Sequence, residues 1–138
     1  MENRTMNDAE IRNTLKQYRR IAVVGLSDNP DRPSYGVTKY MIQNGYDITG
    51  VRPAGPEKIL HRPCFKSLKD VPGPLEIVNV FRASEHIPAL VEELIPFKPK
   101  VLWLQLGISH PQAEARAQAA GIQVISNRCI MVEHHKFF

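Results

Sequence analysis

The residues best suited to chemistry in this sequence lie in the run R-I-A-V-V-G-L-S-D-N-P-D-R-P-S-Y-G-V-T-K-Y-M-I-Q-N-G, from Arg20 to Gly45. Within it Gly25, Ser27, Arg32, Ser34, Tyr35 and Gly36 gather hydroxyls, a guanidinium and backbone amides into one loop. A guanidinium makes strong charge-assisted hydrogen bonds to anionic oxygens, and the first turn of a helix points unpaired N–H groups at the same place. The chemistry this suits is the holding of a phosphate. The spacing is neither G-x-G-x-x-G nor G-x-x-x-x-G-K-[ST], which sets aside an ordinary dinucleotide fingerprint and a P-loop. Gly25 on its own fits a plain turn glycine as well.

Four further places extend the pattern. Val51-Arg52-Pro53 ends the second apolar run, where NAD-binding sheets carry an Asp or Glu for the ribose hydroxyls. An arginine there suits a phosphate on the ribose, as in NADP or coenzyme A, or is simply solvated. Phe81 and Arg82 end another run, Phe81 either facing an adenine or closing the core, and Gln105 and Gly107 end a third, Gly107 allowing close backbone approach or making an ordinary loop. Arg128 can reach a phosphate or pair with Glu133. Catalytic sets are harder to draw. Cys129 with His134 or His135 has no spacing that makes them face each other, His61, His86 and His110 have no metal-ligand spacing, and no serine sits in a nucleophile elbow.

The elements that must position these residues follow from hydrophobic periodicity. Ile21 to Val24 is too short for a helix and is ended by Gly25, so it reads as a buried strand. Ser34 reads as the N-cap of a helix with Val37, Tyr40 and Met41 on one face, closed by Gly45. Upstream, Asn7 and Glu10 resemble a capping box for a helix from about Asp8 to Tyr18. Downstream, Tyr46 to Val51 is a second strand, Arg52 to Pro56 a turn, and Pro63 to Phe65 a short edge strand, followed by a helical turn capped by Ser67. Leu75 to Phe81, Val101 to Gln105 and Ile122 to Ile125 are further strands. Between them come a helix capped by Ser84 and a helix from Pro111 to Gly121, and Asn127 onward makes a closing turn or short helix. This alternation predicts a Rossmann-like, doubly wound α/β fold: a mostly parallel sheet of five to six strands with helices on both faces. The expected strand order is 3-2-1-4-5-6, with the ligand beyond the carboxyl ends near the first and fourth strands.

At 138 residues the chain is expected to form one domain, 1–138, with a core large enough to need no staples. No apolar run approaches ~20 residues, so no membrane span is expected. Met1 to Arg12 is polar and mixed in charge, unlike a secretory signal. Cys64 and Cys129 match no metal or redox spacing and read as reduced thiols in a cytoplasmic protein. The net charge of +4 favours an anionic partner, but no basic helix, zinc module or RNA-binding motif points to nucleic acid. A small polyanionic nucleotide is the better match.

The segments I-A-V-V-G-L-S-D-N-P-D-R-P-S-Y-G-V, V-R-P, C-F-K-S-L-K-D-V-P, I-V-N-V-F-R, V-L-W-L-Q-L-G and N-R-C-I-M-V-E-H, in that order, resemble the small stand-alone bacterial CoA-binding proteins. Their domain is similar to the CoA-binding domain of the succinyl-CoA synthetase alpha subunit. The resemblance implies non-catalytic binding of coenzyme A or an acyl-CoA, with the pyrophosphate near Gly25, Ser27 and the Ser34 to Gly36 helix start. By the same likeness Arg52 and Pro53 lie at the adenosine end, Phe81 and Arg82 border the crevice, and Gln105 to Gly107 flank the pantetheine path. No ligase activity is implied, because the phosphate-carrying histidine of the ligase belongs to an additional domain. The chain departs from the family at Leu60-His61-Arg62, where relatives tend to turn on glycine, and at Ile130, where they tend to have proline after the cysteine. The competing readings are an NADP-linked oxidoreductase that uses Arg52 for the ribose phosphate, and a nucleotide-sensing regulatory domain. A homodimer through apolar residues on the first or last helix is compatible with any of them.

Overall fold

A computed structural model describes residues 6–138, so the first five residues of the polar Met1 to Arg12 stretch lie outside the described residues. The chain runs α1 (Asp8–Gln17), β1 (Arg20–Val24), α2 (Pro33–Gln43), β2 (Asp47–Val51), β3 (Lys58–Ile59) and β4 (Arg62–Phe65). It continues through β5 (Ile77–Val80), α3 (Ile87–Leu94), β6 (Val101–Leu104), α4 (Pro111–Ala119), β7 (Gln123–Ile125) and α5 (Ile130–Phe137). The sheet order is β3-β4-β2-β1-β5-β6-β7, and every pairing but β3 with β4 is parallel. This is the expected Rossmann-like α/β architecture, and without β3 its strand order is the expected one.

The sheet has seven strands, not five to six. The additional strand, β3, folds back on β4 through Leu60 and His61, which take φ of +53° and +61°. Two consecutive left-handed residues match the right-handed twist of a tight hairpin, a role normally taken by Asn-Gly or Gly-Gly. Neither Leu nor His announces such a turn, so the hairpin is invisible to pattern reading.

β1 shows why the core splits in two. Its residues alternate across the sheet, with Ile21 and Val23 packing beneath α1, α2 and α5 while Ala22 and Val24 pack beneath α3 and α4. Ile11 and Leu15 of α1 are fully buried, each worth about 1.5–3 kcal/mol of apolar burial. The Asn7–Glu10 capping box is present, with Glu10 N–H donating to Asn7 Oδ1 at 2.9 Å. Val132 on α5 and Phe138 just past its end each remain 56% exposed.

Three predicted caps differ. α2 starts at Pro33, with Arg32 as its N-cap, because the fixed φ of proline is already helical and its missing N–H has no intrahelical partner to lose. Ser34 therefore lies inside the helix, and its Oγ accepts from Ser27 N–H at 2.9 Å. Ser84 opens a 3-10 turn ahead of α3 and its Oγ accepts from Ser109 N–H at 3.1 Å. Ser67 precedes a 3-10 turn but makes no cap, its hydroxyl donating to Asp70 Oδ2 instead.

Candidate functional site

Gly25 sits at the carboxyl rim of the sheet, stitched to both neighbours of β1. Its N–H donates to Val51 O at 2.9 Å, and Phe81 N–H donates to Val24 O at 2.9 Å. Here successive strands depart in opposite directions, the position at which doubly wound sheets leave a crevice. Gly25 has φ +86°, and a Cβ on it would lie 3.2 Å from Phe81 O and 3.3 Å from Arg82 Cγ. Gly25 therefore presents bare backbone at the rim, with no room on it for a side chain.

Two cavities meet at Gly25. One, of about 540 Å³ on the α2 and α5 side, is lined by Ser27, Arg32, Ser34, Phe81 and Gln105. The other, of about 420 Å³ on the α3 side, is lined by Arg52, Pro53 and Arg82. Nine of the twelve residues singled out from the sequence thus line one cavity or the other. The remaining three line neither. Tyr35 packs against the core, Gly36 is exposed on α2, and Gly107, at φ +85°, gives its N–H to Asn127 Oδ1 at 2.7 Å.

The loop after β1 uses most of its own polar groups. Ser27 Oγ accepts from Asn29 N–H at 3.0 Å and Asn29 Oδ1 from Asp31 N–H at 3.0 Å. Among the described residues, the N–H groups of Leu26, Asp28 and Ser34 keep no protein acceptor. No side chain caps α2. The helix start that borders the larger cavity is therefore free to donate to an anion.

Arg52 is less free than its sequence position suggests. Its Nε donates to Ala54 O at 2.6 Å and its Nη1 to Leu26 O at 3.1 Å, with Asp28 Oδ1 3.6 Å from Nη1. It ties the end of β2 to the loop after β1. Arg82 and Lys66, in the same cavity, have no side-chain partner among the described residues and are exposed.

In the larger cavity Gln105 Nε2 donates to Asn79 Oδ1 at 2.6 Å, a bond between side chains only 4% and 1% exposed. One of its two amide N–H groups is thus committed inward, and its carbonyl oxygen has no protein partner among the described residues. Pro33, Val37, Leu106, Ile108 and Cys129 complete the lining. Leu106 falls in the Gln105 to Gly107 stretch expected along the pantetheine path, whereas Pro33, Val37, Ile108 and Cys129 were not selected as ligand residues. Ile108 was within reach of the rule that ligands bind past the carboxyl ends of strands, since it follows β6 by four residues.

The other titratable groups have local work. Arg128 Nη1 lies 2.6 Å from Glu133 Oε1, so of its two readings the carboxylate pair is the one formed. His134 shares a 2.8 Å hydrogen bond with Tyr40 through Nδ1 and stacks on Phe138. His110 caps α4, its Nδ1 accepting from Ala113 N–H at 3.2 Å. Burial pushes the Cys64 thiol up, with the nearby Arg52 pulling it partly back. Cys64 packs beside Gly50, where a Cβ would meet Sγ at 2.6 Å. Among the described residues no group of three His, Cys, Asp or Glu could hold a metal ion, and no helix is long and apolar enough to cross a membrane.

Known proteins are similar to this chain in sequence and in fold. The YneT protein of Bacillus subtilis, itself uncharacterized, is 44% identical over 126 residues, covering 91% of this chain and 93% of its own. A Thermus thermophilus structure, cell-free ID.343, superposes with a TM-score of 0.92 at 36% identity, covering 96% of this chain and all of the other (100%). A hypothetical protein from Pyrococcus horikoshii superposes with a TM-score of 0.91 at 35% identity, covering 99% and 98%. Residues 19–135 match the family described as CoA binding domain. With its rim cavities and nearly its whole length matched, the chain belongs to the CoA binding domain family.

Proposed function

We propose that this protein binds coenzyme A or an acyl-CoA without transforming it, the diphosphate resting on the bare backbone at Gly25. The observation that carries the reading is the meeting of two cavities at one glycine, one holding Arg52, Arg82 and Lys66 and the other opening on the uncapped start of α2. In this reading the adenosine and its 3′-phosphate occupy the basic cavity on the α3 side. The pantetheine arm crosses the rim and runs along Phe81 and Gln105. Arginine, lysine, hydroxyl and amide donors are groups that hold an anion in place, and the proposed role is accordingly retention of the ligand.

Calorimetry with the purified chain tests the reading. Coenzyme A is expected to bind, to raise the melting temperature, and at about 100-fold excess over its dissociation constant to stabilise by about 2.7 kcal/mol. NADPH is expected to bind far more weakly. No heat and no melting shift with millimolar coenzyme A, or tighter binding of NADPH, would overturn the assignment. Dephospho-CoA measures the contribution of the ribose phosphate.

A further inference from the structure

The cavities on either side of Gly25 differ in chemistry, and the difference runs in the direction that one extended ligand would take. On the α3 side stand Arg52, Arg82 and Lys66. On the α2 side the charged and hydroxyl groups, Ser27, Arg32 and Ser34, all belong to the loop and helix start that follow Gly25. The far wall, past the ends of β5 and β6, is Phe81, Gln105, Leu106 and Ile108. Gln105 brings a carbonyl oxygen there, an acceptor suited to an amide N–H of a pantetheine arm, while one of its two amide N–H groups is held by Asn79. The rest of that wall is hydrocarbon. Leu106 stands 70% exposed, a large apolar side chain with nothing of this protein laid over it among the described residues.

A free thiol ending at this wall covers little of it, whereas the acyl group of a thioester extends the ligand across apolar surface that otherwise faces water. Burial of apolar area is favourable in proportion to the area removed from water. We propose that the site prefers the thioester over the free thiol: an acyl-CoA with an unbranched aliphatic chain laid against Leu106 and Ile108. This inference rests on the coenzyme A reading of the same cavities and adds the ligand class that fills their apolar end.

Isothermal calorimetry on the full chain with coenzyme A, acetyl-CoA, butyryl-CoA and hexanoyl-CoA separates the two readings. Affinity is expected to rise with chain length, approaching roughly fourfold for each fully buried methylene. In Leu106→Ser and Ile108→Thr the hexanoyl-to-acetyl affinity ratio is expected to fall toward one. Leu106 is exposed, so its variant tests the wall without disturbing the core. A wild-type series that is flat or that falls with length overturns the acyl preference and leaves coenzyme A binding standing. A hexanoyl-to-acetyl ratio unchanged in both variants likewise overturns the placement of the chain, and absence of binding by every ligand overturns both readings together.

Discussion

Replacing Gly25 with alanine probes the rim directly, and the structure supplies its own control. Gly25 holds φ +86° and Gly121 holds φ +89°, but a Cβ at Gly121 meets nothing within 4 Å, whereas at Gly25 it lies 3.2 Å from Phe81 O. A left-handed backbone costs a non-glycine residue about 1–2 kcal/mol, and both variants carry that cost. Only Gly25→Ala adds crowding against Phe81, whose N–H is bonded to Val24 O and whose carbonyl cannot retreat without loosening the β1–β5 edge. Overpacking of this kind adds about 1–3 kcal/mol. Urea unfolding is therefore expected to show Gly121→Ala destabilised by about 1–2 kcal/mol and Gly25→Ala by about 2–5 kcal/mol, with unchanged denaturant slopes. Because relief of that crowding must shift the Phe81 carbonyl or the Arg82 side chain, residues that line the two cavities, Gly25→Ala is also expected to bind coenzyme A at least roughly tenfold more weakly, a difference of about 1.4 kcal/mol. If both variants prove equally stable and bind coenzyme A as the wild type does, the rim is not a close-approach surface and the reasoning fails.

Other consequences follow from single contacts. Gln105→Ala strands Asn79 Oδ1 in the sheet, where Asn79 is 1% exposed, and is expected to cost about 1–3 kcal/mol of stability by urea titration; a double variant with Asn79→Ala that simply adds the two losses would deny the pair any coupling. Arg82→Ala and Lys66→Ala are expected to weaken coenzyme A more than dephospho-CoA. Arg52→Ala, which also frees the loop tethered through Leu26 O and Ala54 O, should weaken both; calorimetry showing the opposite pattern would move the 3′-phosphate onto Arg52. Burial, reinforced by Arg19 and then His135, pulls the His134 pKa down from its ordinary value near 6.5. The unfolded chain therefore takes up the proton first, so this contribution to stability is present above about pH 6.5 and is lost as pH falls through that value toward the lower folded one. The urea midpoint should decline over that window in the wild type and less in His134→Phe, and equal pH slopes would show that another group carries the effect.

Much of the fold was legible because it depends on local patterns. Ile21 to Val24 with Gly25 after them, the capping box at Asn7 and Glu10, and the recurring strand and helix periods require only nearest neighbours along the chain. Strand order then follows from the handedness of crossovers. The β3–β4 hairpin was not legible, since Leu60 and His61 are held at positive φ without any residue that favours it. The start of α2 moved from Ser34 to Arg32 because Pro33 suits the first helical position better than a serine cap suits the one before it.

For the site, the amino-acid order by itself determined which residues stand at the ends of strands, and with them the presence of a glycine, a helix start and arginines along one rim; that the helix start carries no side-chain cap was decided by the structure. Tertiary structure alone decided how those residues divide between two cavities, and which polar groups remain available. Arg52 and Gln105 show the reason: each gives one N–H to an acceptor far away in sequence, Arg52 to Leu26 O and Gln105 to Asn79 Oδ1. A hydrogen bond between distant segments exists only once the sheet has brought them together. Residue type and spacing therefore mark a group's position, while its freedom to bind is settled by packing.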